Sequence, residues 1–331
     1  MKQIKMTLNA SFVLRNMVYF MLIIVAVVLS LTVDVFFTVK NLLNILVAAS
    51  PIYLLCMGMS LAMMTKGIDM SIGSIIYASA SVAYFVFQRG GNMFIALLGL
   101  FAMGTLLGFV NGLLAGKIPV YPMLTTLATM YIFRGLGRMI SGGATAVMPD
   151  VWGSIANISV LGIPFPIILA LGMGLIMQFI LTNTKFGRFV LAIGDNERTA
   201  VEKGVNIFKI KVAVYTIVGF CCAMAAMILT SQIMSAPSTL GTGKDFEVII
   251  AAVLGGISLV GGKGNIFPGA LVGSIIYAGI SNALVLTGAD PYSYTLVYAI
   301  VIFAFILVDT LGAKISFKKE KALPTEEKTS G

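Results

Sequence analysis

The sequence contains no histidine, which removes imidazole from any proton relay and weakens any reading that needs a metal centre. Charged residues make up only 11% of the 331, against roughly 25% in a soluble domain, so much of the usual solvated surface is missing. Cysteine is scarce. Cys56, Cys221 and Cys222 all fall inside apolar runs and read as small packing residues rather than disulfide or metal partners. Paired carboxylates within an apolar run are also lacking, which leaves a membrane enzyme almost no material to work with. Tryptophan occurs once, as Trp152.

What is present is apolar: 59% of the residues are hydrophobic. Long apolar runs recur from Met17 to Ile315, and a helix needs about 20 such residues to cross a bilayer. Backbone polar groups in lipid must be satisfied internally, which leaves helices or closed barrels. Runs without strict alternation mean helices, so the fold class is an all-α polytopic membrane protein. Breaks at Gly, Pro and charge predict ten spans, at about 17–37, 43–65, 70–88, 93–115, 121–140, 162–182, 212–234, 247–262, 267–287 and 293–311. The eighth is short and holds Gly255, Gly256, Gly261 and Gly262. The first follows Lys2, Lys5 and Arg15 but precedes no small-residue cleavage site, so it is expected to be retained.

Charge then orients the chain. With a cytoplasmic N-terminus, Lys40, Arg89, Arg134, Arg138 and Lys244 fall outside, and the other seventeen of the 22 basic residues fall inside. That asymmetry follows the positive-inside rule, and it makes the net charge of +9 a topology signal with no bearing on nucleic acid. The expected organisation is a cytoplasmic segment 1–16, a transmembrane domain 17–311 and a disordered cytoplasmic tail 312–331. The longest charged loop, about 183–211, lies in the cytoplasm. Segment 141–161 faces outside, where Trp152 reads as an interfacial anchor. A faint echo links Asn111-Gly-Leu-Leu, Pro119 and Tyr121 to Asn282-Ala-Leu-Val, Pro291 and Tyr292. Its offset of five spans would invert topology, the arrangement of an inverted repeat.

No internal engine is visible. The stretch nearest to a phosphate-cradling loop is Gly256–Gly264, but its spacing departs from G-x-x-x-x-G-K-[ST], and Gly264 stands where the hydroxyl for magnesium is needed. The cytoplasmic loop is more informative. Asp195 or Asn196 can N-cap a two-turn helix, Glu197 suits its positive end and Gly204 can close it. Arg198 and Glu202 stand at i,i+4 spacing, while Ala200 and Gly204 leave one face small. An isolated helix this short is unstable in water, so a docked surface is expected to hold it. The plainer reading is a solvated connection.

Four segments, in order, resemble the permease subunits of ribose-type ABC importers, whose relatives carry autoinducer-2 or polyols. They are Gly67-Ile-Asp-Met-Ser-Ile-Gly-Ser74, Thr126-Leu-Ala-Thr-Met with Arg134-Gly135, Phe186-Gly-Arg with Ala192-Ile-Gly-Asp-Asn-Glu-Arg, and Ala252-Val-Leu-Gly-Gly-Ile-Ser-Leu-Val-Gly-Gly-Lys-Gly264. Met70, Ile72 and Asp195 depart conservatively from the usual Leu, Val and Gly. The resemblance implies the ABC importer permease fold and a coupling helix around Gly194–Gly204 that docks on an ATPase, with Gly187 and Arg188 in the same loop. It also implies an extracytoplasmic solute-binding protein, a second permease copy or close homologue, and a bacterial inner-membrane location. The subunit itself would catalyse nothing and bind no cofactor, ATP and Mg staying on the partner ATPase.

Polar residues within the spans are expensive in lipid and therefore informative. Asp69 is either a pathway residue or, more simply, the cap of the third helix near Ser71 and Ile72. Asn111, Thr125, Thr126 and Thr129 either line a path or bond between helices. Arg134 and Arg138 either meet a carboxylate on an outside partner or snorkel, and Asp309 pairs with Lys314. The main rival is an ion-coupled secondary transporter, which needs cation-coordinating groups at mid-membrane, where only Asp69 comes near. An ungated channel is the other.

Overall fold

A computed structural model describes residues 35–290 continuously, together with parts of 19–29 and 292–303. The segments 1–16 and 312–331, the Asp309–Lys314 pair and most of the first predicted span lie outside the described residues. Between them the chain is helical: α1 Val39–Met64, α2 Ile72–Gln88, α3 Met93–Lys117, α4 Pro122–Ser141, α5 Asp150–Asn157, α6 Phe165–Asn183, α7 Lys185–Asp195, α8 Glu197–Glu202, α9 Ile207–Ile233, α10 Lys244–Leu254 and α11 Leu271–Leu286. Among the described residues, five segments are long and apolar enough to cross a membrane: α1, α3, α6, α9 and Ile266–Leu286. The polytopic helical architecture therefore stands.

Two helices make the centre. In α1, every residue from Ala49 to Met64 is buried, as expected of a helix that is apolar all round. Helix α9, 27 residues and so about 40 Å long, packs beside it. The outer helices α3 and α6 are 28% and 33% buried over their apolar windows, against 83% and 67% for α1 and α9.

Helices α3 and α9 touch through glycine. Gly104, Gly108, Gly112 and Gly116 recur every fourth residue along one face of α3. A Cβ on Gly108 would come 2.8 Å from the backbone N and Cα of Gly219, and one on Gly112 would come 2.7 Å from Val212 Cα. In lipid, close backbone approach of this kind supplies the dispersion contacts that hydrophobic exclusion cannot.

The two ends of the bundle differ. At one end Met64, Lys66 and Gly262 meet α7, with Gly262 N–H donating to the Met64 carbonyl at 3.0 Å. At the other, the two-residue strands β1 Ala146–Val147 and β4 Ser235–Ala236 pair antiparallel, β2 Ser159–Val160 and β3 Ile163–Pro164 form a small hairpin, and α5 lies beneath. Trp152 on α5 corrects the expectation of an interfacial anchor. It is fully buried, donates from Nε1 to Thr230 Oγ1 at 2.9 Å and meets Phe87 edge-on at 5.7 Å. Its ring pins α5 onto α9 and α2.

The predicted eighth span is also corrected. Helix α10 ends at Leu254, and the following glycines leave helical space: Gly256, Gly261 and Gly262 have φ of 78°, 95° and 73°, a region open to glycine at little cost. Its 11 residues rise only about 16 Å, half a bilayer. The other half is made by the connection from β4. After Ala236 the chain runs down beside α2 until Gly241 abuts Gly73, backbone against backbone. Gly73 lies 14 residues, about 21 Å along α2, from Phe87 at the Trp152 end. Arg134 holds this descending loop by donating to the Leu240 and Ser238 carbonyls while its guanidinium lies over Tyr77 at 5.3 Å. It is therefore engaged within the subunit, whereas Arg138 is exposed.

Before α11 the backbone bends at Ile266–Ala270. The Gln178 side chain on α6 accepts from the Ile266 and Phe267 N–H groups at 2.9 and 3.0 Å, so the bend leaves neither donor without a partner.

Candidate functional site

Three arrangements gather the polar residues. The first is the segment between α6 and α9, expected to be largely a loop and found to be largely helical. The Thr184 hydroxyl caps α7 by accepting from Gly187 N–H at 3.3 Å. Phe186, Phe189, Val190 and Ile193 give α7 one apolar face, a 3.6-residue pattern that was legible in the sequence. The Asn196 side chain then caps α8, accepting from Thr199 N–H at 3.1 Å. Gly204, at φ 80°, closes it with its N–H donating to the Val201 carbonyl at 2.8 Å.

Within this segment the nine singled-out residues divide into two groups. Gly187, Gly194 and Ala200 are buried. A Cβ at Gly187 would fall on the Leu181 carbonyl, and one at Gly194 would fall between the Met64 carbonyl and the Gly262 N–H. Ala200 packs on Ile193 and Val205, with Phe189 and Ile210 around them. So α8 is held by its own subunit, and its small face is turned inward rather than offered to a partner. The outward face carries Arg198 and Glu202, paired at 3.5 Å with side chains 91% and 63% exposed, and Val201 between them in sequence, 55% exposed. Arg188, Asp195, Asn196, Glu197 and Gly204 are exposed too. Glu197 pairs with Lys211 at 3.0 Å, and the Asp195 carbonyl accepts from Lys66 Nζ at 3.3 Å. The glycine-rich stretch once compared with a phosphate loop thus packs beneath α7.

The second arrangement is a buried polar cluster. Asp69 Oδ1 accepts from the Ser71 N–H at 2.8 Å and the Ser71 hydroxyl at 2.6 Å. Asn111 Nδ2 reaches Ser71 Oγ at 2.6 Å and Asp69 Oδ2 at 3.3 Å. Thr126 Oγ1 accepts from Met70 N–H at 3.0 Å and donates to the Ile68 carbonyl at 3.1 Å. Asp69, Ser71, Asn111 and Thr126 are each fully enclosed by protein. Thr129 is also buried and bonds its own helix at the Thr126 carbonyl, 3.1 Å. Thr125 is half-buried. The cluster ties the turn before α2 to α3 and α4.

The third was missed in the sequence. A cavity of about 690 Å³ opens between α1, the end of α9, the middle of α11, the start of α10 and the residues Tyr294, Tyr298 and Ala299. On its wall Lys244 Nζ meets Glu247 Oε2 at 2.6 Å, each side chain 26% exposed. Tyr277 and Tyr298 stack with centroids 4.4 Å apart and planes within 11°, and Gln232 and Ser281 line the same space. The Tyr298 hydroxyl is buried without a complete hydrogen bond. No motif announced this site, because its residues come from five separated segments. The usable signal was the pairing of Lys244 with Glu247 at i,i+3 beside an abnormally short span.

Comparison with known proteins places these features in a family. Residues 41–305 match the family described as "Branched-chain amino acid transport system / permease component". The ribose import permease of Haemophilus influenzae is 34% identical over 310 residues, 92% of this chain and 95% of the relative. The D-allose transport system permease of Escherichia coli is 32% identical over 303 residues, 89% and 91% of the two chains, and the fructose import permease of Bifidobacterium longum is 29% identical over 87% and 83%. No solved structure matches.

Proposed function

This chain belongs to the permease-component family of transport systems, and we propose that it is the membrane-spanning subunit of an ABC importer for a simple sugar. The observation that carries the reading is the match to sugar import permeases over about nine tenths of the chain. The family takes its description from branched-chain amino acid transport, while these relatives are import or transport permeases for ribose, D-allose and fructose. A bacterial inner-membrane location follows from the same relatives.

In this reading the subunit shapes a path and performs no catalysis. ATP and Mg act on a separate cytoplasmic ATPase, a solute-binding protein delivers the sugar, and a second permease copy or close homologue completes the path. Ten spans with both termini in the cytoplasm fit the basic-residue asymmetry, and the inverted repeat fits the echo between Asn111 and Asn282. Asn111 bonds in the Asp69 cluster, and Asn282 Oδ1 accepts from Asn41 at 2.9 Å. Helix α8 is assigned to the ATPase contact because its outer face, Arg198, Val201 and Glu202, is unoccupied by its own subunit. ATP-driven movement there would reach the bundle through α7, which the glycine loop and Met64 grip directly. An ion-coupled carrier lacks support: Asp69, the candidate ligand the sequence offered, is taken up by Ser71 and Asn111, and Glu247 is paired with Lys244.

The test uses the complete importer, with its ATPase and binding protein, in cells. Uptake of labelled D-ribose, D-allose or D-fructose is expected, with L-leucine excluded. Val201→Asp with Arg198→Glu should abolish ATPase co-purification and uptake while the subunit still elutes as a folded species. Substitution at Gly194 or Ala200 would not test docking, since both are packing positions. If association and uptake survive the outer-face changes, the coupling assignment is wrong.

A further inference from the structure

We propose that the cavity lined by Gln232, Lys244, Glu247, Tyr277, Ser281 and Tyr298 is a solute-contacting station on the translocation path, built for a neutral polyhydroxylated ring. The proposal rests on the sugar-importer reading and adds the place and the residues.

Position comes first. The cavity sits where the descending loop delivers the start of α10, so its wall includes the N-terminus of a helix that begins inside the bundle. Half-helices that start within the membrane expose backbone N–H groups to solute sites in many transporters. Gly243, at φ 80°, stands at that start without a side-chain cap. The helix end alone would carry nothing. The second observation is Tyr298, 7% exposed on the cavity wall, whose hydroxyl lacks a complete hydrogen bond. The hydroxyls of Ser281 and Tyr277 lie near it without closing a hydrogen bond of good geometry. Such an incompletely satisfied buried hydroxyl is costly, and a solute hydroxyl would satisfy it.

Chemistry then narrows the solute. About 690 Å³ falls within the roughly 300–1,000 Å³ of small-molecule sites. Donors and acceptors are both present: the Lys244 ammonium and the tyrosine hydroxyls donate, and the Glu247 carboxylate and Gln232 carbonyl accept. A sugar hydroxyl can answer either kind. Lys244 and Glu247 already neutralise each other at 2.6 Å, so an ion or a zwitterion would first have to break their pair. A neutral polyol adds bonds around it. The stacked tyrosine rings and Phe246 supply an apolar wall suited to the C–H face of a sugar ring. By contrast the Asp69 cluster, although Asn111 Oδ1 has no partner, is fully enclosed by protein and opens onto no cavity wall that a solute could reach.

The three native cysteines are all buried, which permits a direct reading. In the complete importer, Ser281→Cys should be labelled by a small thiol reagent, and the transported sugar should slow labelling severalfold. Glu247→Gln keeps the shape and is expected to lower sugar uptake about tenfold, as loss of one charge-assisted hydrogen bond would. Tyr298→Phe keeps the ring stack and should lower it by a smaller factor, with co-purification of the ATPase unchanged in both. If uptake by both variants equals wild type and sugar leaves Ser281→Cys labelling unaltered, the station is overturned and the importer reading stands. If wild type carries L-leucine and none of the sugars, the importer's substrate class and the polyol assignment fall together.

Discussion

At the scale of single residues, the contrast between Trp152 and Asn196 shows what a sequence can disclose. Asn196 caps α8 through a bond to a residue three positions on, so spacing alone identified it as one of two candidates. Trp152 is defined by Thr230 and Phe87, 78 and 65 positions away in either direction, and nothing local distinguishes a buried indole from one at a membrane surface. At Gly194 and Ala200 the same holds: smallness was visible, but not that Gly194 abuts Met64 and that Ala200 packs on Val205. The indole predicts a graded response. Trp152→Phe removes the bond to Thr230, whose hydroxyl still donates to the Ala226 carbonyl at 2.7 Å, so it should cost about 1 kcal/mol. Trp152→Ala should cost about 3–5 kcal/mol by opening a cavity. Thermal unfolding of the detergent-purified protein should rank them in that order; equal midpoints for both would return Trp152 to the surface.

At the scale of elements, helices were legible because apolar runs and breaks are local properties. Seven predicted spans coincide with described helices within about five residues, and glycine decides two further features. One is the C-terminal side of α10, where positive φ ends the helix early. The other is α3, whose four-residue glycine repeat was on view but whose partner, α9, begins more than 90 residues later. That contact predicts a sharp asymmetry between two glycines. Gly108→Leu must push backbone off backbone at Gly219, so its penalty should exceed the roughly 1–3 kcal/mol of ordinary overpacking, and folded protein should be lost from membranes. Gly172→Ala on α6, where a Cβ meets nothing within 4 Å, should be neutral or stabilising by up to about 1 kcal/mol. Fluorescence-detected size exclusion of the two variants reads the difference. A monodisperse Gly108→Leu protein would show that α3 and α9 can separate.

For the whole molecule, orientation is the property on which the functional reading hangs. Under the proposed function the α7–α8 end would face the ATPase and the Trp152 end the binding protein, with the cavity between Lys244 and Tyr298 nearer the latter. Charge counting orients the chain in that sense, but it weighs all loops alike and cannot see that the β4–α10 connection dips inward. Two exposed positions settle the matter: Leu161, 98% exposed at the turn of the β2–β3 hairpin, and Val260, 78% exposed in the glycine loop. Because Cys56, Cys221 and Cys222 are buried, each of Leu161→Cys and Val260→Cys supplies the reactive thiol in its variant. A membrane-impermeant maleimide should label Leu161→Cys on intact spheroplasts and Val260→Cys only after the membrane is opened. The opposite pattern would turn α8 away from any cytoplasmic ATPase. Labelling of both on intact cells would mean that α10, short as it is, together with the descending loop, does not carry the chain across.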